Sequence, residues 1–311
     1  MKTIMVPLDG STLAEHVLPF VRMLAPILGA DVSLFHVIPE MDGMRFQLRD
    51  ELPDPFASER ELRLHSAERL RDNAEGYLVA QVEAMRAAGI NATFDVRFGA
   101  PAQLIVEACE RTKPTMVALA THGYSGIKRW ALGSIADKLA HAVHVPLLVV
   151  RGSEKPHQGE RTLKRILVPL DGSELARQAL PLAAKLAVTS QAELLLLTVA
   201  APPFLGAPEL VSPTPNYDDM LVALQERLPA ELGDQVATLR DRGVKVVPLA
   251  CTGFPADVIV ETAQSERVDL VVMATHGYSG IKRWTLGSVA DKVLHASKTP
   301  LLLVRAGMPE N

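Results

Sequence analysis

The feature that most constrains the fold is an internal duplication that runs the length of the chain. The stretch IMVPLDGSTLA at Ile4 returns as ILVPLDGSELA at Ile166, an offset of 162 residues. The stretch THGYSGIKRWALGS at Thr121 returns at Thr275 with one substitution in fourteen positions, at an offset of 154. Two ordered matches this far apart mark copies of a whole folding unit, so the 311 residues predict two similar domains.

The limits of the two copies follow from where they match. The halves are least alike over residues 39–71 and 201–227, where the second copy has lost about eight residues net. We expect these segments to carry any difference in specificity between the halves. Residues 152–163 are polar with glycine and proline, which is typical of a linker. We therefore predict a first domain over residues 1–151 and a second over residues 164–306.

Each copy alternates short apolar runs with amphipathic stretches, which predicts an α/β fold. In the first copy the predicted strands are Thr3–Leu8, Asp31–Val37, Ala92–Arg97, Met116–Ala120 and Pro146–Val150. The predicted helices run from Ser11 to about Leu28 with a kink at Pro19, and over 67–88, 102–112 and 134–142; Pro181 predicts the same kink in the second copy. Continuously apolar strands separated by helices indicate a doubly wound parallel sheet covered on both faces. Its ligand crevice is expected at the carboxyl ends of the strands, where the winding reverses.

Composition excludes several function classes. A formal net charge of −4 gives no basic surface for nucleic acid. The longest apolar run, around residues 194–199, is far shorter than the roughly 20 residues of a membrane span, and no signal-peptide core precedes Asp9. Cys109 and Cys251 stand at non-equivalent places in the two halves, which argues against a disulfide framework or zinc site and favours a reducing cytoplasm.

The repeated THGYSG stretch falls in the turn between the fourth strand and the last helix. Gly133 permits close approach of a ligand, and the free amides of Ser134, Ile135 and Ala136 form an anion site together with the helix dipole. Asp9 and its copy Asp171 end the first strand beside the switch point. A carboxylate at that place suits a ribose hydroxyl or a Mg²⁺ ion carried by phosphates.

A structural role for the same residues stays open at this stage. Glycine-rich turns join strands to helices in many folds, and Ser134 serves equally well as a helix cap. His122 and His276 suit a general base, a ligand contact or a hydrogen bond within the turn. Trp130 and Trp284 favour packing, since aromatic side chains mostly serve burial.

Three motifs resemble the universal stress protein family. They are VPLDGS after the first strand, G-x-P before a helix, and THGYSGIKRWALGS before P-x-L-x-V. The likeness covers Met1 to about Arg151 and again about Lys164 to Arg305, so the chain is similar to a tandem two-domain member. The resemblance implies a five-stranded parallel sheet of order 3-2-1-4-5 in each domain. It also implies that the last strands, PLLVV at Pro146 and PLLLV at Pro300, pair the two domains as an intramolecular pseudo-dimer; a further homodimer is left open.

The family divides into members that bind ATP and members that do not. Binders carry the signature G-x2-G-x9-G-[S/T], which falls here on Ala120, Gly123, Gly133 and Ser134 and on the copies of these residues. The first glycine is therefore alanine in both halves. If that position keeps a negative φ, a methyl group is a small change; if it needs a positive φ, or if the nucleotide lies against it, binding weakens. The resemblance favours ATP, or ADP or AMP, with Mg²⁺ as a companion ion.

The resemblance also assigns individual positions to a nucleotide site. It implies that Asp9 and Asp171 meet the ribose or the metal ion, and that Val37 and Val199 lie near adenine. The remaining positions shape the pocket or line the ribose and phosphates: Pro7, Ala120, Thr121, His122, Gly123, Gly133, Ser134, Ile135 and Ala136 in the first half, and Pro169, Ala274, Thr275, His276, Gly277, Gly287, Ser288, Val289 and Ala290 in the second.

The sequence thus favours a stress-response protein that binds adenine nucleotide in both domains and acts as a regulator or sensor. One alternative is a universal stress protein with vestigial pockets that works through its surface, which Ala120 and Ala274 support. Another is a slow ATPase, although no Walker-type motif occurs and no general base is evident beyond His122 or Asp9. A dinucleotide dehydrogenase is disfavoured, because GxGxxG is absent after the first strand.

Overall fold

The computed structural model describes residues 2–39, 57–121, 133–152, 161–200, 232–275 and 286–305, with side chains omitted over 57–64. Within these ranges the strands are β1 Thr3–Pro7, β2 Asp31–Ile38, β3 Ala92–Phe98, β4 Met116–Thr121, β5 Leu147–Arg151, β6 Arg165–Leu170, β7 Glu193–Ala200, β8 Lys245–Thr252, β9 Leu270–Thr275 and β10 Leu301–Arg305. The helices are α1 Leu18–Leu28, α2 Ala57–Ala87, α3 Pro101–Thr112, α4 Ser134–Ala142, α5 Glu174–Arg177, α6 Leu180–Ser190, α7 Gly233–Asp241, α8 Pro255–Ser265 and α9 Ser288–Ala296.

All ten of these strands belong to one sheet, in the order β3-β2-β1-β4-β5-β10-β9-β6-β7-β8. The first five follow the predicted order 3-2-1-4-5, and the last five repeat it in mirror sequence. Neighbouring strands within each half are parallel. The predicted α/β class, with two Rossmann-like halves in tandem, is therefore confirmed.

The two halves meet at an antiparallel pairing of β5 with β10. In its register Leu148 faces Leu302, with Leu147 opposite Leu303 and Val149 opposite Leu301. Leu148 and Leu302 are fully buried. A strand this apolar would be an aggregation-prone edge if it were left unpaired. The pairing removes that edge from both halves at once.

Helices cover both faces of the sheet, and each face has its own hydrophobic cluster. One cluster packs α1, α2, α6 and α7 against the strands, and the other packs α3, α4, α8 and α9 against the opposite face. Each cluster contains residues from both halves and so runs across the β5–β10 seam. Among the described residues, no helix combines the length and apolar character that crossing a bilayer requires.

The predicted element boundaries hold closely for the first-half strands, each of which ends within one residue of the prediction. The helix predicted from Ser11 with a kink at Pro19 is instead a 3₁₀ turn, Ala14–Val17, followed by α1. Pro19 lies in the first turn of α1, where its missing N–H group leaves no helical hydrogen bond unmade. Pro181 has the same place in α6, which follows the short helix α5. These prolines begin helices rather than kink them.

Two smaller differences concern α2 and the cysteines. Helix α2 begins at Ala57, ten residues before the predicted start, because its first turns are rich in charged helix-forming residues and lack an apolar stripe. Both cysteines are free, as predicted. Burial raises the pKa of Cys109 to about 12, so this thiol is inert at neutral pH.

The pairing of β5 with β10 predicts that truncating Leu148 strongly lowers the stability of the protein. Leu148→Ala should lower the free energy of unfolding by about 2–5 kcal/mol, because it opens a cavity where Leu302 has no other cross-strand partner of that size. Leu70→Ala is the matched control, since Leu70 is 39% exposed on α2 and should cost within about 0.5 kcal/mol. Urea unfolding measures both; equal losses in the two variants would contradict a seam that stabilises the fold.

Candidate functional site

The candidate site in each half follows from where the sheet changes its winding direction. Strand β1 pairs with β2 on one side and with β4 on the other. Chain order runs outward from β1 in both directions, so the crevice between the carboxyl ends of β1 and β4 is the switch point at which such sheets bind ligands. Strands β6 and β9 form the same crevice in the second half.

The turn after β1 fixes the predicted carboxylate. Asp9 Oδ1 accepts hydrogen bonds from the Ser11 amide at 2.9 Å and from Ser11 Oγ at 2.6 Å. Ser11 Oγ in turn accepts from the Ala14 amide at 3.1 Å. The backbone passes through Gly10 at φ +82°, a conformation that favours glycine. Both described bonds use the same oxygen of this exposed carboxylate, Oδ1.

The second half repeats this turn closely. Asp171 Oδ1 accepts from the Ser173 amide at 3.0 Å and from Ser173 Oγ at 2.5 Å, and Ser173 Oγ accepts from the Ala176 amide at 3.1 Å. Gly172 has φ +80°. The serine of the VPLDGS motif therefore orients the preceding aspartate in both halves and caps the turn that follows.

The last helix of each half begins directly after the glycine predicted to precede it. Gly133 is the N-cap of α4, with φ −56° and ψ 142°, and its carbonyl accepts the first helical bond, from Asp137, at 3.0 Å. The amides of Ser134, Ile135 and Ala136 lie in the first turn of α4, where an amide has no hydrogen-bond partner within the helix. Gly287 caps α9 in the same way, with the Asp291 bond at 2.9 Å.

Ser134 is consequently the first helical residue and not the N-cap. Its side chain is therefore not explained by helix capping alone. Ser134 and its copy Ser288 are exposed, as is Ile135, and Ala136 and Ala290 are buried against the core beneath the helix. Val289 is half-buried. The predicted positions thus divide into a serine that faces solvent and an alanine that anchors the turn.

The alanines in place of the signature glycine lie in regular strands. Ala120 pairs with Val150 and Ala274 with Val304. The non-glycine residues with positive φ in the described ranges are Lys113, Gln191 and Arg267, so both alanines keep a negative φ. The condition under which a methyl group is a small change therefore holds in both halves.

The side chains at this edge sort onto two faces of the sheet. Ala120 and Ala274 pack against the cluster that α1 and α6 share, whereas Val37 and Val199 belong to the cluster beneath α4 and α9. Strand alternation directs Thr121 and Thr275 away from the alanine methyl groups and toward the α4 and α9 face. Pro7 and Pro169, half-buried at the ends of β1 and β6, alternate with Val6 and Val168 in the same way.

No group of three or more histidine, cysteine or acidic side chains gathers within the described ranges. A single carboxylate per site, Asp9 or Asp171, fits Mg²⁺ that arrives on phosphates, because that ion keeps several waters and needs only one or two protein carboxylates. The donor set therefore fits a nucleotide-borne metal. The predicted site residues His122, Gly123, His276 and Gly277, and both tryptophans, lie outside the described residues.

Sequence reasoning missed a polar position beside the Asp turn, on the α1 face. His36 on β2 follows Phe35, whose carbonyl accepts from the Leu8 amide at 2.9 Å, and the Nδ1 of His36 is buried without a hydrogen-bond partner among the described residues. Burial lowers the pKa of His36, although the Leu8 backbone and the Asp9 charge oppose the shift. Its copy is Thr198, whose Oγ1 is likewise buried without a described partner. Aligning the halves at the 162-residue offset would have exposed this substitution.

The surroundings of that position also differ between the halves. In the first half, Gln81 Nε2 donates to Glu15 Oε1 at 3.2 Å, and burial together with the Glu15 charge raises the pKa of Tyr77. The copy of Glu15 is Arg177, which pairs with Glu174 at 3.0 Å. Beside Thr198 lies a small cavity, about the size of one water, lined by Leu170, Gly172, Arg177, Thr198, Leu232 and Gln235.

Comparison with known proteins yields one family for both halves. The model of the universal stress protein family matches residues 1–151 and 162–305. A universal stress protein of Methanocaldococcus jannaschii is 33% identical over 148 residues, which cover 47% of this chain and 85% of that protein. The match spans a single half, consistent with a chain built from two copies.

Solved structures agree at the level of the fold. The crystal structure of a universal stress protein from Archaeoglobus fulgidus is 21% identical, with a TM-score of 0.68, and covers 98% of each chain. That likeness extends over both halves. A universal stress protein solved in complex with cAMP is 25% identical over 47% of this chain and 98% of its own, with a TM-score of 0.36.

His36 predicts an acid sensitivity that Thr198 does not share. Because the pKa of His36 in the folded state lies below its ordinary value of 6.5, the unfolded chain binds more protons between those two values. Stability is then lost as the pH falls below about 6.5. His36→Thr, which copies the second half, should reduce the loss of unfolding free energy between pH 7 and pH 5.

The matched control is His65→Thr, because the side chain of His65 is 80% exposed on α2. This variant should keep the pH dependence of the unmodified protein. Urea unfolding at pH 7, 6 and 5 gives the three stability profiles. Parallel profiles for His36→Thr and the unmodified protein would contradict a protonation cost at His36.

Proposed function

The chain belongs to the universal stress protein family, and we propose that each half binds one adenine nucleotide, with ATP favoured over ADP and AMP. The bound nucleotide regulates the protein as a stress-response sensor. The single observation that carries this proposal is the repeated arrangement at the switch point. In both halves an oriented, exposed carboxylate and the free first turn of a helix lie at the carboxyl ends of adjacent parallel strands.

Each part of this arrangement suits one part of a nucleotide. The amides of the first turns of α4 and α9, with the hydroxyls of Ser134 and Ser288, suit phosphate oxygens. The exposed carboxylate of Asp9 or Asp171 suits a ribose hydroxyl, or a Mg²⁺ ion held by the phosphates. When bound, Mg²⁺ would neutralise phosphate charge. Val37 and Val199 supply apolar contact for the flat face of a base.

The vestigial-pocket alternative keeps one observation in its favour, namely alanine at positions 120 and 274. The structure weakens that support, because these residues hold extended backbone and direct their methyl groups into the α1-side and α6-side core. A methyl group on that face leaves the α4 and α9 face clear. The affinity of the protein for adenine nucleotide therefore decides between this alternative and the proposed function.

The hydrogen bonds of Asp9 and Asp171 favour a regulatory role over catalysis. Asp9 and Asp171 each orient a turn, and among the described residues the side chain that bonds each of them is the serine of that turn. Nucleotide that binds one conformation more tightly shifts the population toward it. A slow ATPase remains a measurable outcome: single-turnover hydrolysis well above background, abolished by Asp9→Ala with Asp171→Ala.

We further propose that residues 1–151 and 164–306 are the two domains, joined by residues 152–163, and that they act as an intramolecular pseudo-dimer. The pairing of β5 with β10 supports this proposal, since it gives each half the strand partner that a second copy would otherwise supply. A further association of two chains is a question for sedimentation.

Released nucleotide tests the proposal directly. Denaturing the purified protein should release up to two adenine nucleotides per chain, identified by chromatography. Titration of protein stripped of nucleotide with ATP, ADP, AMP and cAMP should then give saturable heat in a calorimeter. No released nucleotide and no heat with any of the four at millimolar concentration would leave the vestigial-pocket alternative as the better account.

Blocking the phosphate end locates the sites. Gly133→Val with Gly287→Val should abolish or strongly weaken binding, because a side chain then projects where the phosphate meets the helix. The φ angles of −56° and −57° are open to any residue, so the loss would come from blocked access and not from backbone strain.

The matched control is Gly76→Val in the interior of α2, where an added Cβ meets open space. This variant should bind nucleotide like the unmodified protein. Unchanged affinity in the double variant at the N-caps would rule out the placement of the phosphates there.

A further inference from the structure

Two arginines cross the seam in opposite directions. Arg151, the last residue of β5, donates from Nη2 to the carbonyl oxygens of His295 and Leu294, the latter at 3.5 Å. Arg305, the last residue of β10, donates from Nη2 to the carbonyl of Ala140 and from Nε to that of Val143 at 3.2 Å. Each arginine therefore ends its own half and bonds the other.

The carbonyls that receive these bonds lie at the carboxyl ends of α4 and α9. Helix α4 ends at Ala142 and α9 at Ala296. The last four carbonyls of a helix have no partner within it, and the negative end of the helix dipole lies there. A guanidinium presents several donors in a fixed plane, so one arginine satisfies two carbonyls and also places a positive charge at that end.

The same two helices begin at the candidate anion sites. Helix α4 has nine residues, so the whole helix is only about 13 Å long. Its first turn belongs to the first half, but the side chain that holds its last turn comes from β10 of the second half. For α9 the roles of the halves are exchanged.

We propose that Arg305 and Arg151 are positioning residues that anchor, from the opposite half, the helix whose first turn forms each anion site. Arg305 sets the position of α4 and therefore serves the first site; Arg151 sets α9 and serves the second. The binding consequence rests on the proposed nucleotide function. The anchoring itself rests on the contacts alone.

The two anchors are unequal. Arg305 is 9% exposed, and burial lowers the pKa of its guanidinium; Arg151 is half-buried. Removing a buried donor leaves carbonyls that water reaches poorly, and such unpaired groups are costly. We therefore expect the first site to depend on Arg305 more than the second depends on Arg151.

The binding test uses chains with one site blocked. With Gly287→Val in place, Arg305→Met should weaken ATP binding at the first site by about 2- to 30-fold, and Arg151→Met should leave it unchanged. With Gly133→Val in place, Arg151→Met should weaken the second site and Arg305→Met should not. Arg305→Lys keeps the charge but not the paired donors, so it should restore only part of the affinity.

The crossed pattern separates positioning from a general loss of stability. Equal weakening of both sites by either arginine variant, or no weakening at all, would overturn the inference. Methionine keeps much of the arginine stem volume, which favours a folded variant.

Amide hydrogen exchange tests whether the two arginines anchor α4 and α9, and it requires no bound nucleotide. In the unligated chain, amides near Leu139 in α4 should exchange faster in Arg305→Met, and those near Val293 in α9 should exchange faster in Arg151→Met. If the unmodified protein binds no nucleotide but this crossed exchange is seen, the proposed function fails and the anchoring stands. Exchange that rises equally in both helices for either variant would overturn the anchoring.

Discussion

The antiparallel pairing of β5 with β10 is the constraint on which the rest of the structure depends. It turns two five-stranded sheets into one sheet of ten strands and buries leucines that neither half could cover alone. Because every other pairing is parallel, the pairing also sends the carboxyl ends of the two halves to opposite edges of the common sheet. The two candidate sites therefore lie apart, at opposite edges of the common sheet. Arg151 and Arg305, at the ends of the paired strands, add polar contacts between the two halves.

Sequence alone predicts the repeated elements well, because their causes are local. Apolar runs such as 116–120, the turn at Gly10 and the start of α4 after Gly133 are each set by a few adjacent residues. The strand order and the pairing of last strands came from the family resemblance, not from periodicity. The arginine anchors could not be predicted, since Arg305 and Ala140 are separated by 165 positions and no pattern links an arginine at a strand end to a helix end in the other copy. Helix α2 begins earlier than the sequence predicts for a related reason, because residues 57–66 carry no apolar periodicity.

Whether alanine can replace the signature glycine at positions 120 and 274 depends on the backbone conformation, which the sequence does not give. A glycine in a signature is required either because the backbone has a positive φ there or because the ligand approaches the backbone closely. The sequence does not distinguish these two causes. Here the strand pairs of Ala120 and Ala274 continue to the end of β4 and β9, so the first cause is absent. The second depends on which face the methyl group takes, and it joins the core shared with α1 and α6. The departure from the signature thus falls on the side of the sheet away from the helix N-termini.

The duplication has not preserved all parts of the site equally. The Asp–Ser turn and the helix N-cap agree between the halves to within 0.1 Å in each corresponding hydrogen bond. One layer below, on the opposite face, His36 is replaced by Thr198 and Glu15 by Arg177. That substitution exchanges a titratable ring and a negative charge for a hydroxyl and a positive charge, close behind the carboxylates that face the crevice. The turns at the two crevices are thus alike while the charges behind them differ, and each crossed arginine bonds the end of a helix in the other half.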